Sequence, residues 1–258
     1  GEKHLRRAVE GKSVETVPLT EPELRTILDK VVLTKPNDLA VWSDADDARL
    51  TPVKAGGGES NSDIGANFRY GPHTFLVYAK ANERIRIWQQ GQTKTQYELV
   101  DPEQTVVAQG TAEEEAVLDR LAATEGVYRF TFSTGGYRPR IHVANRGAVV
   151  KASGALQHVH TFGKAEFYFY VPKGTKTFAV IGKAEEPLVL EVFGPYDAQT
   201  PVYPKTTQKA TSFQEHAVTV PPGTDGAVWR INLGGEDKKI FLQGIPPFLA
   251  GSPDRVLV

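Results

Sequence analysis

From residue 66 onward, short runs of β-branched and aromatic residues alternate with Gly, Pro, Asp and Asn turn signals, the rhythm of a sandwich or barrel. Within the runs, apolar side chains fall on alternate positions. In residues 167–171, Phe167, Phe169 and Val171 share one face of an extended strand, and Tyr168 and Tyr170 share the other. Packing predicts the Phe/Val face inward, which leaves the two tyrosines outside or at an interface. Upstream the period changes. Leu24, Ile27, Leu28 and Val31 recur at helical spacing, with Thr20 as cap, Pro22 in the first turn and Glu23 reaching back, so a short helix is predicted there. A second helix-like stretch covers residues 112–121, where Glu113, Glu114 and Glu115 precede Val117, Leu118 and Leu121. Strand-like runs at 39–42 and 49–53 flank an acidic turn and predict a hairpin. Residues 56–63, rich in Gly, Ser and Asn, have the composition of a linker.

Self-similarity over roughly a hundred residues organises the rest, a period suited to a small domain. Residues 74–80 align with 167–173, and 97–102 align with 190–195, each of the latter a strand ending in a turn dipeptide (Asp101-Pro102, Gly194-Pro195). Residues 126–130 then align with 227–231, and 141–143 with 240–242. Four strand-like blocks in the same order, with length changes confined to loops, predict an all-β chain. It reads as two tandem, jelly-roll-like β-sandwich units preceded by a short N-terminal helix and hairpin. The expected divisions are 1–63 for the helix, hairpin and linker, 64–155 for the first sandwich and 156–258 for the second. Trp229, with Val228 and Ile231 in a repeated strand, is assigned to the core.

Composition narrows the function classes. The 258 residues are 40% hydrophobic and 24% charged, with a net charge of −1. Such a balance fits a folded globular protein and offers no general attraction for phosphate backbones, so a nucleic-acid partner is not expected. With no cysteine, disulfides, thiol catalysis and thiolate metal sites are excluded. With no methionine, Gly1 reads as a processed or cut end of a longer protein. No apolar run approaches the roughly 20 residues that a spanning helix needs, so no membrane span is expected.

Candidate chemistry is sparse. His158 and His160 would share a strand face and could reach one ion, with His142 or Glu166 as a third ligand. Nothing fixes a third or fourth ligand, so no metal is assigned. Asp44, Asp46, Asp47, Glu59 and Asp63 could offer oxygen ligands to calcium, but the spacing lacks the glycine and final glutamate of a calcium loop. A solvated acidic turn is the better reading, with calcium as the alternative. No nucleophile elbow or phosphate loop is present: residues 133–136 read as a turn, and residues 56–58 lack the following Lys-Ser/Thr. Aromatic residues are the stronger lead. Sugar rings stack their C–H faces on flat side chains, and Trp88, Tyr168 and Tyr170 are the candidates for that contact. Packing of the two tyrosines between the repeats is the competing assignment.

The frame FYFYVPKGTKTF (residues 167–178), LEVFGP (190–195) and VPPGTDGAVWRINL (220–233) resembles the bacterial pre-peptidase C-terminal type of β-sandwich. It is also similar to jelly-roll modules appended to secreted bacterial carbohydrate-active enzymes. The likeness spans roughly residues 66–250 and is looser in the first repeat, where Ala79 stands in the place of Pro172. It implies a non-catalytic accessory module of an exported bacterial protein, secreted, periplasmic or at the cell surface. Its partner would be a polysaccharide or a neighbouring catalytic domain. A structural or protein-interaction spacer is the first alternative, and a hydrolase with an unrecognised active site the second.

Overall fold

The computed structural model describes residues 4–7, 15–18, 47, 49–53, 67–91, 94–113 and 115–258. Strands β1 (His4–Arg7) and β2 (Glu15–Pro18) pair antiparallel within a compact unit spanning Gly1–Asp38. The helix expected around residues 20–31, the strand at 39–42 and the linker at 56–63 lie outside the described residues.

The second compact unit spans Leu39–Val258. Its first nine strands are β3 (Asn67–Phe68), β4 (His73–Ala79), β5 (Arg84–Gln90), β6 (Thr95–Val100), β7 (Val106–Ala112), β8 (Ala116–Leu121), β9 (Gly126–Ser133), β10 (Arg140–Val143) and β11 (Ala148–Lys151). Then come β12 (Val159–Phe162), β13 (Ala165–Val171), β14 (Thr177–Ala184), β15 (Val189–Phe193), β16 (Tyr203–Thr206), β17 (Ala210–Thr219), β18 (Ala227–Gly234), β19 (Asp237–Gln243) and β20 (Phe248–Ala250). They form two antiparallel sheets. The eight-stranded one runs β17-β14-β19-β12-β3-β10-β5-β8, the ten-stranded one β16-β15-β18-β13-β20-β11-β4-β9-β6-β7.

Alternation along the strands builds the layer between the sheets. In β13, Phe167, Phe169 and Val171 are fully buried while Tyr168 and Tyr170 are half-buried on the other side. The same core takes in Phe68, Phe75, Val77, Phe130, Ile141, Val180, Ile231 and Ile240, drawn from both halves of the chain. Burial of this apolar area is the main stabilising term, about 25 cal/mol for each Å² removed from water. Trp229 is fully buried, edge-on to Phe178 at 5.5 Å, with its Nε1–H donated to the Thr224 carbonyl at 2.9 Å. Its ring lies so close to Gly194 that a β-carbon there would come within 2.3 Å of it, which excludes any larger residue.

Read outward from the middle, each sheet repeats the same order with the strand number raised by nine. The registers keep this correspondence. Phe75 opposes Phe130 as Phe167 opposes Ile231, and Leu99 opposes Phe130 as Val192 opposes Ile231. In the other sheet Ile87 opposes Val143 as Val180 opposes Leu242. At the two centres the corresponding residues meet each other, Phe68 against Thr161 and Val149 against Ala250. One sequence match moves by a residue. Thr74 was aligned with Phe167, but Thr74 faces away from the core, and it is Phe75 that shares the environment of Phe167. A one-residue slip reverses every side chain, so the pairing decides the register where the letters alone mislead.

The helix-like stretch at 112–121 is not a helix. β7 ends at Ala112, and Ala116–Leu121 is an edge strand paired with β5. Only Val117 of its apolar residues is buried, and Leu121 is 54% exposed, so no helical stripe forms. Backbone pairing with β5 overrides the local propensity.

A second, smaller core covers the outer face of the ten-stranded sheet near its centre. Leu50, Val256 and Leu257 lie there against Leu76, Val127, Val149, Phe248 and Ala250. Residues 51–53 pair with 256–258: Thr51 and Val258 exchange both backbone hydrogen bonds at 2.8 and 2.9 Å, and Val53 N–H donates to the Val256 carbonyl at 3.0 Å. The buried Asp47 carboxylate meets the buried Lys151 ammonium at 2.7 Å. Arg255, fully buried, donates to the Val143 carbonyl at 2.7 Å.

Candidate functional site

The outward positions of β13, β18 and β15 lie in cross-strand rows. Glu166 opposes Asn232, which opposes Glu191; two residues along, Tyr168 opposes Arg230, which opposes Phe193. The positions between them point into the core, so the alternation that builds the sandwich also sets this outer array. The Arg230 guanidinium lies 4.2 Å above the Phe193 ring, and one of its nitrogens reaches the Ala198 carbonyl at 3.4 Å. The Tyr168 hydroxyl donates to Glu166 Oε1 at 2.7 Å, and its ring stands edge-on to Tyr196 at 6.0 Å. Burial, then the bond to Glu166, pushes the Tyr168 hydroxyl up to about 12, so it stays a neutral donor. Arg230 Nε and Asn232 Oδ1 are buried without a hydrogen-bond partner.

Beside these rows, at the ends of the same strands, opens a cleft of about 460 Å³. Arg140, Lys164, Glu166, Glu191 and Asn232 supply its polar lining. Its volume is within the range of small-molecule sites, roughly 300–1,000 Å³. The wall offers acceptors in two carboxylates, both functions of an amide, and two cations, a set that matches hydroxyl-rich ligands.

The aromatic candidates separate. Trp88 belongs to β5 and lies parallel to His142 at 5.1 Å, half-buried on the outer side of the eight-stranded sheet. Tyr168 and Tyr170 are on the outer side of the opposite sheet, so Trp88 cannot share a surface with them. Tyr170 packs against the smaller core that contains Val256 and Leu257, and Tyr168 packs against it too while belonging to the outer rows.

The histidines are engaged individually. His158 Nδ1 lies 2.8 Å from the Ala155 carbonyl, and its ring packs on Phe213 at 5.9 Å. His160 binds Asp237 through Nε2, beneath the Tyr70 ring at 5.4 Å. Burial, together with nearby Lys239, lowers its basicity, so the imidazole is neutral and its Nε2–H donates to the carboxylate. Among the described residues no three His, Asp or Glu side chains converge on a point that could hold a metal ion. Asp47 is committed to Lys151, and Asp44, Asp46, Glu59 and Asp63 lie outside the described residues.

A second, smaller cleft of about 140 Å³ opens beside the ends of β14, β12 and β19 in the eight-stranded sheet. Arg69, Tyr70, His160, Lys183, Asp237 and Lys239 line it. Arg69 pairs with Asp237 and lies over the Tyr70 ring at 4.7 Å. Buried Lys238 donates to the carbonyls of Gly163 and Gly235, tying two turns together beneath this end of the sheet; burial pulls its ammonium down to about 8. Gly235 is required there: its φ is +97°, and a β-carbon would meet the Pro187 carbonyl oxygen at 2.8 Å.

The chain matches no family model and no curated protein. Arg230, Asn232 and Glu191 were not singled out in the sequence, although they hold the alternate positions to core residues in the repeated strands. That alternation was the signal for them.

Proposed function

We propose that this protein is a non-catalytic accessory module that binds polysaccharide through the outer face of β13, β15 and β18. The observation that carries the reading is the double row Glu166–Asn232–Glu191 and Tyr168–Arg230–Phe193 beside an open cleft, with Asn232 Oδ1 and Arg230 Nε unpartnered. An aromatic edge next to an amide and two carboxylates provides apolar contact for a sugar face and partners for its hydroxyls. The matched strand orders and registers support descent from two copies of one sandwich unit, and the sequence frame of residues 167–178, 190–195 and 220–233 resembles jelly-roll-type modules of exported bacterial carbohydrate-active enzymes. In that setting the module is secreted or surface-bound and holds a neighbouring catalytic domain on its substrate. An open groove buries little area, so affinities fall in the micromolar to millimolar range.

Affinity electrophoresis against a panel of soluble polysaccharides tests this. Asn232→Ala and Tyr168→Ala are expected to abolish the retardation of the wild type, with melting temperatures held. Trp88→Ala, on the opposite face, is expected to leave it unchanged. Retardation that survives both substitutions on the β13 and β18 face, or none with any polymer, would leave a structural spacer as the better reading.

A further inference from the structure

A cross-strand row on the outer face of the eight-stranded sheet sets two lysines beside the neutral His160. His160 of β12 opposes Lys239 of β19, which opposes Lys183 of β14. Two ammonium groups directly across a strand pair repel, and such placements destabilise a sheet. Among the described residues, no ion pair joins Lys183 or Lys239 to a carboxylate. Asp237, an acid of the cleft they line, is already held by Arg69 and His160. Glu185 also lines the cleft, so the lysines exceed the remaining carboxylate by one charge. Arg69 Nε–H, in the same wall, is buried without a hydrogen-bond partner.

We propose that this cleft is an anion subsite, and that the polysaccharide bound here carries carboxylate or sulfate groups. The inference rests on the polysaccharide reading above and adds the chemical class of the ligand. At about 140 Å³ the cleft takes one anionic substituent rather than a sugar ring, so the ring itself lies outside, against the 44%-exposed Tyr70. A polymer favours this arrangement over a free ion. The larger cleft matches its cations, Arg140 and Lys164, with the carboxylates of Glu166 and Glu191, so the excess positive charge is confined to the smaller cleft while the rest of a polymer meets a charge-balanced polar wall. Cations clustered on one edge of a protein with net charge −1 make a local feature, not a general attraction for polyanions.

The test uses the full chain with polygalacturonate as the carboxylate probe, chondroitin sulfate as the sulfate-bearing probe and a neutral galactan as reference. Isothermal titration is run at rising NaCl. The wild type is expected to bind one or both acidic polymers about tenfold or more tighter than galactan, a preference that weakens with salt. In Lys183→Gln/Lys239→Gln that preference is expected to disappear, while the melting temperature holds or rises because the repulsion is gone. The sulfated and carboxylated arms identify which anion the cleft selects. Galactan bound through Tyr168 and Asn232 with no preference for either acidic polymer would overturn the anion subsite and leave the polysaccharide reading standing. A double variant that keeps the wild-type preference would also overturn it, and absence of binding to every polymer would overturn both.

Discussion

Trp229 shows how one side chain sets several others. It fills the core between β13, β15 and β14, fixes Gly194 as glycine, and anchors the turn at Thr224. Trp229→Ala is expected to lower stability by about 3–5 kcal/mol, the range for deleting a large core aromatic, read as a shift in denaturant midpoint at unchanged slope. His73 carries a pH-dependent term. Burial lowers its pKa from 6.5 to about 4, against a hydrogen bond to the Arg69 carbonyl that favours the charged ring. The unfolded chain therefore takes up the proton first. Its contribution is full above about pH 6.5 and is lost as the pH falls towards 4, a change on the order of 3 kcal/mol. Urea unfolding at pH 7, 5.5 and 4 should show this loss, and His73→Gln should flatten the profile across that window. An unchanged slope in the variant would assign the acid sensitivity to other groups.

At the scale of elements, edges and covers decide more than propensity. The glutamate-rich approach to β8 reads as a helix start, yet a strand forms because β5 presents an unpaired edge that only an extended chain can satisfy. Residues 256–258 act together with residues 51–53 as a cover for Leu76, Val149 and Phe248. Leu257→Ala is expected to cost about 2–5 kcal/mol and to increase binding of a hydrophobic dye. The dye would report the opened outer face, because the core between the sheets is untouched. A variant with wild-type stability would show that the cover adds little.

The whole second unit shares one apolar layer and two continuous sheets, so its halves have no separate cores to unfold independently. β3–β12 and β11–β20 join the halves by backbone pairing, and their separation would expose four edges at once. Calorimetry should therefore show one cooperative transition for residues 39–258, with calorimetric and van't Hoff enthalpies equal. Two resolved transitions would make the halves autonomous sandwiches joined by weak contacts. The two candidate clefts belong to this scale as well. Each takes residues from strands distant in sequence, Arg140 with Glu191 in one and Arg69 with Lys239 in the other.

The sequence by itself determined what depends on neighbours along the chain. Period-two alternation in residues 167–171 assigned the faces of β13, and thereby the burial of Phe167 and the outward placement of Tyr168, and the place of Trp229 in a repeated apolar strand assigned it to the core. The four matched blocks fall on the strand pairs β4 and β13, β6 and β15, β9 and β18, and β10 and β19. Only the tertiary structure decided what depends on distance across strands. It set the one-residue register of β4, the strand state of residues 116–121 and the separation of Trp88 from the tyrosines. It also brought together the rows that join Glu166 to Glu191 and His160 to Lys183. Alternation states which way a side chain points but not which strand lies beside it. That choice is made by backbone hydrogen bonds and core packing between segments tens of residues apart, and the surface chemistry of this protein is built across those pairings.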